Sequence, residues 1–337
     1  MRVCIYGAGA IGGYLGVQLA RVPGVQVTLI ARGAQLAAIR ENGLKLLSDG
    51  QERVARVAAT DDPGKPGPQD YVILALKAHQ AWEVAEQMKP LLGPDTAVVT
   101  CQNGVPWWYF HGLSGDFAEG RLASVDPGDR QWHHLGPRRA IGCVVYPATE
   151  IIAPGVVKHI YGDKFALGEP DGRLSQRCLA LSEALETGGL KAPVLENIRD
   201  EIWLKLWGNL CFNPISALTR ATLDVVAGDP GTRALAKAMM TEAERIARCL
   251  GADFRVDIER RIDGAARVGA HRTSMLQDLE RGRPLEIDAL LTAVQEMGRL
   301  TGTATPTIDS VLALVQQLGR SQGLYPVFPE QPAAAAA

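Results

Sequence analysis

Four polar residues recur at every fourth position through an otherwise apolar stretch: Glu201, Lys205, Asn209 and Asn213. At helical period they stand above one another on one face. Ile202, Trp203, Leu204, Leu206, Trp207, Leu210 and Phe212 cover most of the remaining circumference. A helix that is apolar nearly all round is a buried helix. A Lys and two Asn buried there need partners, because an unpaired polar group inside a protein is costly. The protein can supply them, as a Glu201–Lys205 pair and two satisfied core amides, or a ligand can. An ammonium aligned with two amides offers a ligand several hydrogen-bond donors and acceptors on one face.

A second cluster lies at the start of the chain. Arg2–Tyr6 reads as a short strand, and Gly7-Ala8-Gly9-Ala10-Ile11-Gly12 follows at once. Ile11, Leu15 and Leu19 then form a helical stripe, and Val25–Ile30 is a second strand. This is the strand–turn–helix–strand setting that GxGxxG requires. The first Gly permits the tight turn, the second lets the backbone approach a pyrophosphate, and the third lets helix and strand pack closely. The helix N-terminus presents unpaired N–H groups and a positive dipole end to the phosphates. Outside that setting, a glycine cluster marks an ordinary turn.

The end of the second strand speaks to which dinucleotide is bound. A site for NAD usually carries Asp or Glu there, on the ribose 2′-hydroxyl. Here the chain reads Leu29-Ile30-Ala31-Arg32-Gly33, with no acid from Val25 to Gly33. Arg32 would meet a 2′-phosphate with a charge-assisted fork, which favours NADP(H) over NAD(H). The plain alternative is a solvated surface Arg.

Further along, Ala34–Asn42 reads as a short helix. Leu44–Leu47 and Arg53–Val57 read as a hairpin around Ser48-Asp49-Gly50. Asp70–Leu76 and Thr96–Cys101 are apolar runs of the parallel-strand kind, followed by Lys77 and by Gln102-Asn103-Gly104. Polar residues at such strand ends lie at the edge where open α/β sheets bind ligands. An exposed cation and a turn are the plainer readings. Residues 111–140 show no clear periodicity and read as a long surface insertion, in the place of a lid. Ile141–Tyr146, Val156–Ile160 and Phe165–Leu167 read as strands, turned by Ala153-Pro154-Gly155. Cys178–Leu185 reads as a helix, and Lys191–Leu195 as a last strand. From Asn197 strand-like alternation stops and helical stripes run to about Leu318. The expected organisation is α/β: a Rossmann-type domain with a mainly parallel sheet over 1–196, an all-helical domain over 197–325, and a disordered tail over 326–337. In the helical part, Ser274 with Gln277 fits a capping box, and Glu286 suits a first helical turn behind Pro284.

Bulk properties exclude several classes. The 337 residues suffice for two domains, with 47% hydrophobic and 21% charged residues as in an ordinary globular protein. A net charge of −2 implies no general attraction to nucleic acid or to an anionic membrane. No apolar run is long enough to span a bilayer, and the opening residues read as a strand rather than a signal peptide. The six cysteines are scattered without CxxC, which favours reduced thiols in a cytoplasmic protein over disulfides or zinc. The histidines show no metal-ligand spacing either, so no metal is expected. The apolar helical region could pair two copies into a homodimer.

Taken in order, these features resemble the ketopantoate reductase (2-dehydropantoate 2-reductase) family from about residue 1 to 318. They are GAGAIG at 7–12, Arg32, Lys77, Asn103-Gly104, Pro154-Gly155 to Gly168-Glu169, Lys205-x3-Asn209-x3-Asn213-Pro214, and Ser274-x3-Asp278 leading to Glu286. The resemblance implies NADPH and a 2-oxo acid bound between a Rossmann domain and a helical domain. It implies Lys205 as general acid, with Asn209, Asn213 and Ser274 holding the substrate carboxylate and hydroxyls. Glu286 would lie by the reacting centre and the nicotinamide ribose, Asn103 near both cofactor and substrate, and Lys77 would help hold the cofactor. Glu286, or locally Glu201, would be the acid that keeps Lys205 protonated against burial. Two departures bear on the substrate. Members often carry a further substrate-binding Asn about ten residues after the position of Asn213, where this chain has Leu223. The 111–140 insertion, preceded by Pro106-Trp107-Trp108-Tyr109-Phe110, is also longer than in compact members. A reductase of another 2-oxo acid, an NADP-linked 3-hydroxy acid dehydrogenase and a non-catalytic NADPH sensor are the rival readings. A sensor has no use for Lys205 aligned with Asn209 and Asn213.

Overall fold

The computed structural model describes residues 1–325, and the tail expected at 326–337 lies outside the described residues. Two compact units emerge, Met1–Ile202 and the chain from Trp203 onward.

The first unit opens with β1 (Arg2–Tyr6), α1 (Ala10–Leu19), β2 (Gln26–Ile30) and α2 (Gly33–Asn42). A hairpin of β3 (Leu44–Ser48) and β4 (Gln51–Ala55) follows. Its turn residues Asp49 and Gly50 both have positive φ, 52° and 72°, the condition under which Asp-Gly is favoured in a two-residue hairpin. Then come β5 (Ala58–Thr60), β6 (Gln69–Leu74), α3 (Ala78–Ala81), β7 (Leu92–Thr100) and α4 (Arg130–His134). The unit continues with β8 (Ala140–Val145), β9 (Ala148–Ala153), β10 (Val156–Tyr161), β11 (Phe165–Gly168) and α5 (Gln176–Thr187).

Seven of these strands form one sheet in the order β11-β8-β7-β6-β1-β2-β5, parallel throughout except for β11 against β8. Its strands are apolar on both faces, as parallel strands covered on both sides must be: Val3, Cys4, Ile5, Val72, Ile73, Leu74, Val98 and Val99 are all buried. Burying each such side chain is worth roughly 1.5–3 kcal/mol, before the entropy of ordering the chain is counted. The remaining four strands make a second sheet, β4-β3-β10-β9, packed on α1.

Three sequence expectations change here. The strand β9, on Ala148–Ala153, was not expected, nor was the second sheet that it completes. Lys191–Leu195 is no regular strand and touches the sheet edge only through isolated bridges, Lys164 with Lys191 and Leu167 with Val194. Pro193 lacks the N–H that a ladder needs there. Residues 111–140 are also more than a surface insertion. Leu122, Val125, Asp126, Gln131 and Leu135 are buried, and the segment is built from short 3-10 turns and α4.

The second unit's described regular elements are all helical. α6 (Ile198–Thr219) begins at the end of the first unit and supplies its first helix. α7 (Leu223–Gly228), α8 (Pro230–Cys249), α9 (Ile258–Ala266), α10 (Ser274–Glu280), α11 (Ala293–Leu300) and α12 (Pro306–Ser321) follow. Trp207 anchors α6: its indole N–H donates to the Met240 carbonyl at 3.1 Å and its ring stacks on Phe254, with centroids 3.9 Å apart. Glu242 on α8 is buried and accepts from the Thr307 and Ile308 N–H groups at 2.8 and 2.9 Å. It thereby satisfies orphan donors in the first turn of α12, where a carboxylate also meets the positive end of the helix dipole.

Candidate active site

In the first unit, the candidate residues collect at one edge of the large sheet. Gly7 follows β1, Arg32 follows β2, Lys77 comes soon after β6 and Asn103 soon after β7. These four strands are consecutive neighbours in the order β7-β6-β1-β2 and run parallel, so the residues all fall at the carboxyl edge. Ligands of open α/β sheets bind at that edge.

The glycine turn has the geometry that its sequence asks for. Gly7 sits at φ +108°, and a Cβ there would lie 2.8 Å from Leu76 Cδ2 and 2.9 Å from the Ala75 carbonyl oxygen. At Gly12 a Cβ would collide with the Gly7 carbonyl oxygen, so α1 can approach the turn only without a side chain. Gly9, by contrast, faces open space, with the Ala75 carbonyl oxygen 3.9 Å away as its nearest neighbour. α1 begins at Ala10 with no acid in its first turn and no side chain capping it. Ala10 and Ile11 open the helix, and Ala8 gives its carbonyl to a brace from Gln35. The Gln35 amide donates to the Ala8 oxygen at 2.8 Å and accepts from the Gly155 N–H at 2.9 Å. This cradle fits a pyrophosphate.

Arg32 is exposed in the position before α2, on extended backbone just past the end of β2. Lys77 holds the equivalent place before α3. The Gln102 amide donates to the Leu76 carbonyl at 3.3 Å and so ties the Asn103 turn to the segment leading into Lys77. Gln35 carries no sequence signal of its own; Gln102 stands in the strand-end run with Asn103, but nothing in the sequence announces its tie to Leu76.

In the second unit, Lys205, Asn209 and Asn213 share one face of α6. Asn213 is buried, whereas Lys205 and Asn209 are half-buried. Asn213 Nδ2 donates to Ser274 Oγ at 3.3 Å. The capping-box reading of Ser274 with Gln277 does not hold. Thr273 is the N-cap of α10, its hydroxyl accepting from the Leu276 N–H at 3.3 Å, and the Gln277 amide donates to the Arg272 carbonyl. With Thr273 doing the capping, the Ser274 hydroxyl is turned to Asn213. Glu286 is not in a helical turn either. It is half-buried in an irregular stretch, and the helix starts later, at Asp288, as a π-helical turn. Buried Leu285 and Ile287 flank Glu286, and the Leu285 N–H donates to the Leu324 carbonyl at 2.9 Å. Pro214 cannot donate to the carbonyl one turn back, yet α6 continues through it to Thr219.

Glu201, the local candidate for Lys205's acid, is engaged within the first unit. Its Oε1 accepts from the Tyr146 hydroxyl at 2.7 Å and from Lys164 Nζ at 2.5 Å. The Lys164 ammonium also lies 4.0 Å from the centre of the Tyr146 ring.

Two family models match the chain, Ketopantoate reductase PanE/ApbA over residues 3–107 and Ketopantoate reductase PanE/ApbA C terminal over residues 197–319. The chain belongs to the ketopantoate reductase family. It is 56% identical over 309 residues to a 2-dehydropantoate 2-reductase of Mesorhizobium japonicum, covering 92% of this chain and 95% of that one. Among solved structures, a candidate ketopantoate reductase from Ralstonia solanacearum superposes with a TM-score of 0.92 at 42% identity, covering 96% and 99% of the two chains. A PanE/ApbA family ketopantoate reductase from Ralstonia eutropha gives 0.82 at 28% identity, covering 96% and 100%. As a ketopantoate reductase family member the chain is an oxidoreductase acting on a CH–OH group, in a family that uses NADP(H). The family's pairing of a mainly parallel Rossmann-type sheet with a helical second part is the architecture found here. Among the described residues no helix is long and apolar enough to cross a membrane.

Proposed function

We propose that the chain reduces ketopantoate (2-dehydropantoate) at its C2 carbonyl to pantoate with NADPH, with Lys205 as general acid. One observation carries the reading: Lys205, Asn209 and Asn213 share one face of α6, and Ser274 joins that face through Asn213. The ammonium of Lys205 would hydrogen-bond the ketone oxygen, stabilise the charge that grows on it, and pass it a proton. Asn209, Asn213 and Ser274 would hold the substrate's carboxylate and hydroxyls, since an Asn offers donors and an acceptor in fixed directions. Glu286 would keep Lys205 protonated and reach the nicotinamide ribose. The engagement of Glu201 by Tyr146 and Lys164 favours Glu286 in that role. Gly7 to Gly12 would cradle the pyrophosphate, Arg32 would take the 2′-phosphate, and Lys77 and Asn103 would contact the cofactor. Bound NADPH supplies the hydride.

A second reading, a reductase of a different 2-oxo acid, has its own support. Leu223 opens α7, and its N–H donates to the His271 carbonyl at 2.8 Å, three residues before Ser274. An apolar side chain therefore stands close in the fold to the segment that leads into Ser274.

The test is ketopantoate-dependent loss of NADPH absorbance, with Lys205→Ala beside wild type. Loss of a general acid should lower kcat by ~10²–10⁴-fold. Turnover that survives the substitution would remove Lys205 from its role. Tight NADPH binding without ketopantoate turnover would favour the second reading and direct a screen of 2-oxo acids, with Leu223→Asn alongside.

A further inference from the structure

One small pocket of the first unit lies beside Asn103. The turn bearing Asn103, Gly104 and Val105 forms one wall together with Trp107, and Val125 and Gln131 of the 111–140 segment form another. It has room for about one water molecule. Two of its lining residues each carry a buried side-chain atom without a hydrogen-bond partner, Trp107 Nε1 and Gln131 Oε1. Trp107 is 4% exposed and Gln131 2%. One is an obligate donor and the other an acceptor.

The orientation of Gln131 is well determined. Its backbone N–H donates to Asp126 Oδ1 at 2.8 Å, and its Nε2 donates to the Val125 carbonyl at 3.2 Å. Exchanging the amide's oxygen and nitrogen would set Oε1 against that carbonyl, so the acceptor must face away from it. Asp126 Oδ2 takes the Trp132 N–H at 2.9 Å, and the Trp132 ring meets Trp107 edge-on, with centroids 6.3 Å apart. The segment is thus anchored by a buried carboxylate directly beside the pocket. Buried donors and acceptors are destabilising unless something pairs them.

We propose that Trp107 and Gln131 bind a single water molecule between them, and that this water holds the Asn103–Gly104 turn. The water accepts from the indole N–H and donates to Gln131 Oε1. It keeps one proton and one lone pair for the turn. Both side chains are then positioning residues that act through Asn103. This assignment rests on the reading of Asn103 as a ligand-contacting residue. On this reading the 111–140 segment supplies one wall beside the Asn103 turn.

The first arm of the test is a crystal structure of the whole chain with NADPH, fine enough to show ordered water. A water within hydrogen-bond reach of both Trp107 Nε1 and Gln131 Oε1 is expected. No water there, or density that appears only with a 2-oxo acid bound, overturns the proposal. The second arm is kinetic. Trp107→Phe keeps a ring and removes the N–H, and Gln131→Met keeps length and removes the acceptor. Each should lower kcat/KM about five- to tenfold, the worth of one lost hydrogen bond. The double variant should lose no more than either single one, because the water leaves with either partner. In an Asn103→Ala background, Trp107→Phe should cost nothing further. An additional loss in that background means that the ring acts through packing alone, and overturns the positioning role. Should wild type fail to turn over ketopantoate, the functional reading fails by itself, and the crystallographic arm still decides the water.

Discussion

Asn213 Nδ2 donates to Ser274 Oγ at 3.3 Å across 61 residues of sequence. The contact exists because a neighbour has taken over the structural duty that Ser274 could have performed. Thr273 caps α10, and so the two adjacent hydroxyls have separate tasks.

That division gives different expectations for KM in adjacent alanine substitutions. Thr273→Ala removes an N-cap and should cost about 1 kcal/mol of stability, with KM for the oxo acid little changed. Ser274→Ala should raise KM by roughly tenfold, the loss of one hydrogen bond to an anionic substrate, besides a stability cost of about 1 kcal/mol from leaving the buried Asn213 Nδ2 without its acceptor. The two are read from unfolding curves and steady-state kinetics on the same preparations. Equal effects on both properties from both variants would remove the distinction.

Arg32 stands where β2 delivers it, with no acid from Val25 to Gly33 to hold a ribose hydroxyl. Arg32→Ala should weaken NADPH binding by about ten- to a hundredfold, and NADH binding hardly at all. Arg32→Asp should narrow or invert the preference. Fluorescence titrations with both dinucleotides measure this, and parallel losses for the two would show that Arg32 does not touch the 2′-phosphate.

Glu242 accepts two N–H groups at the start of α12 from a buried position. Glu242→Ala should destabilise the chain by about 1–3 kcal/mol, because it strands two buried donors. Glu242→Gln should cost less, since an amide oxygen still accepts. Urea unfolding midpoints supply the comparison, and an Ala variant as stable as wild type would contradict the cap.

His271 gives the pH dependence its direction. Burial pushes its imidazole below the ordinary value of 6.5, because the charged form is poorly solvated there. As pH falls through that value, the unfolded chain therefore takes the proton first. The contribution of the neutral folded imidazole is complete above 6.5 and declines on acidification towards the folded value. Urea midpoints at about pH 7.5 and about pH 5.5 should differ less in His271→Gln than in wild type. An identical difference in both would assign the slope to other groups.

Much of the first unit was legible because its signals are local. The glycine turn, the Asp49-Gly50 hairpin and the apolar runs after residues 70 and 96 each carry their meaning within a few residues. β9 was not legible. It pairs with the adjacent β10 across the Pro154-Gly155 turn, but Ala148–Ala153 has no clean apolar–polar alternation to mark it, and the sheet is completed only by β10 pairing with β3, more than a hundred residues earlier. The 111–140 segment was misread for a different reason. Its interior includes Asp126 and Gln131, polar residues that a hydropathy pattern assigns to the surface, and their burial becomes intelligible only through hydrogen bonds. At the candidate site, the Lys205 stripe was readable from spacing. The choice between Thr273 and Ser274 as cap was not, since either residue type can serve.

The amide of Gln35 joins the Ala8 carbonyl to the Gly155 N–H, and so spans from the glycine turn to the β9–β10 turn. For anyone trimming this protein, the small sheet is then not an ornament. A minimal nucleotide-binding fragment that stops short of Gly155 would leave Gln35 with one hand empty and the Ala8 carbonyl less firmly held. Such a fragment should either retain residues 148–161 or carry a replacement at position 35 that grips the glycine turn alone.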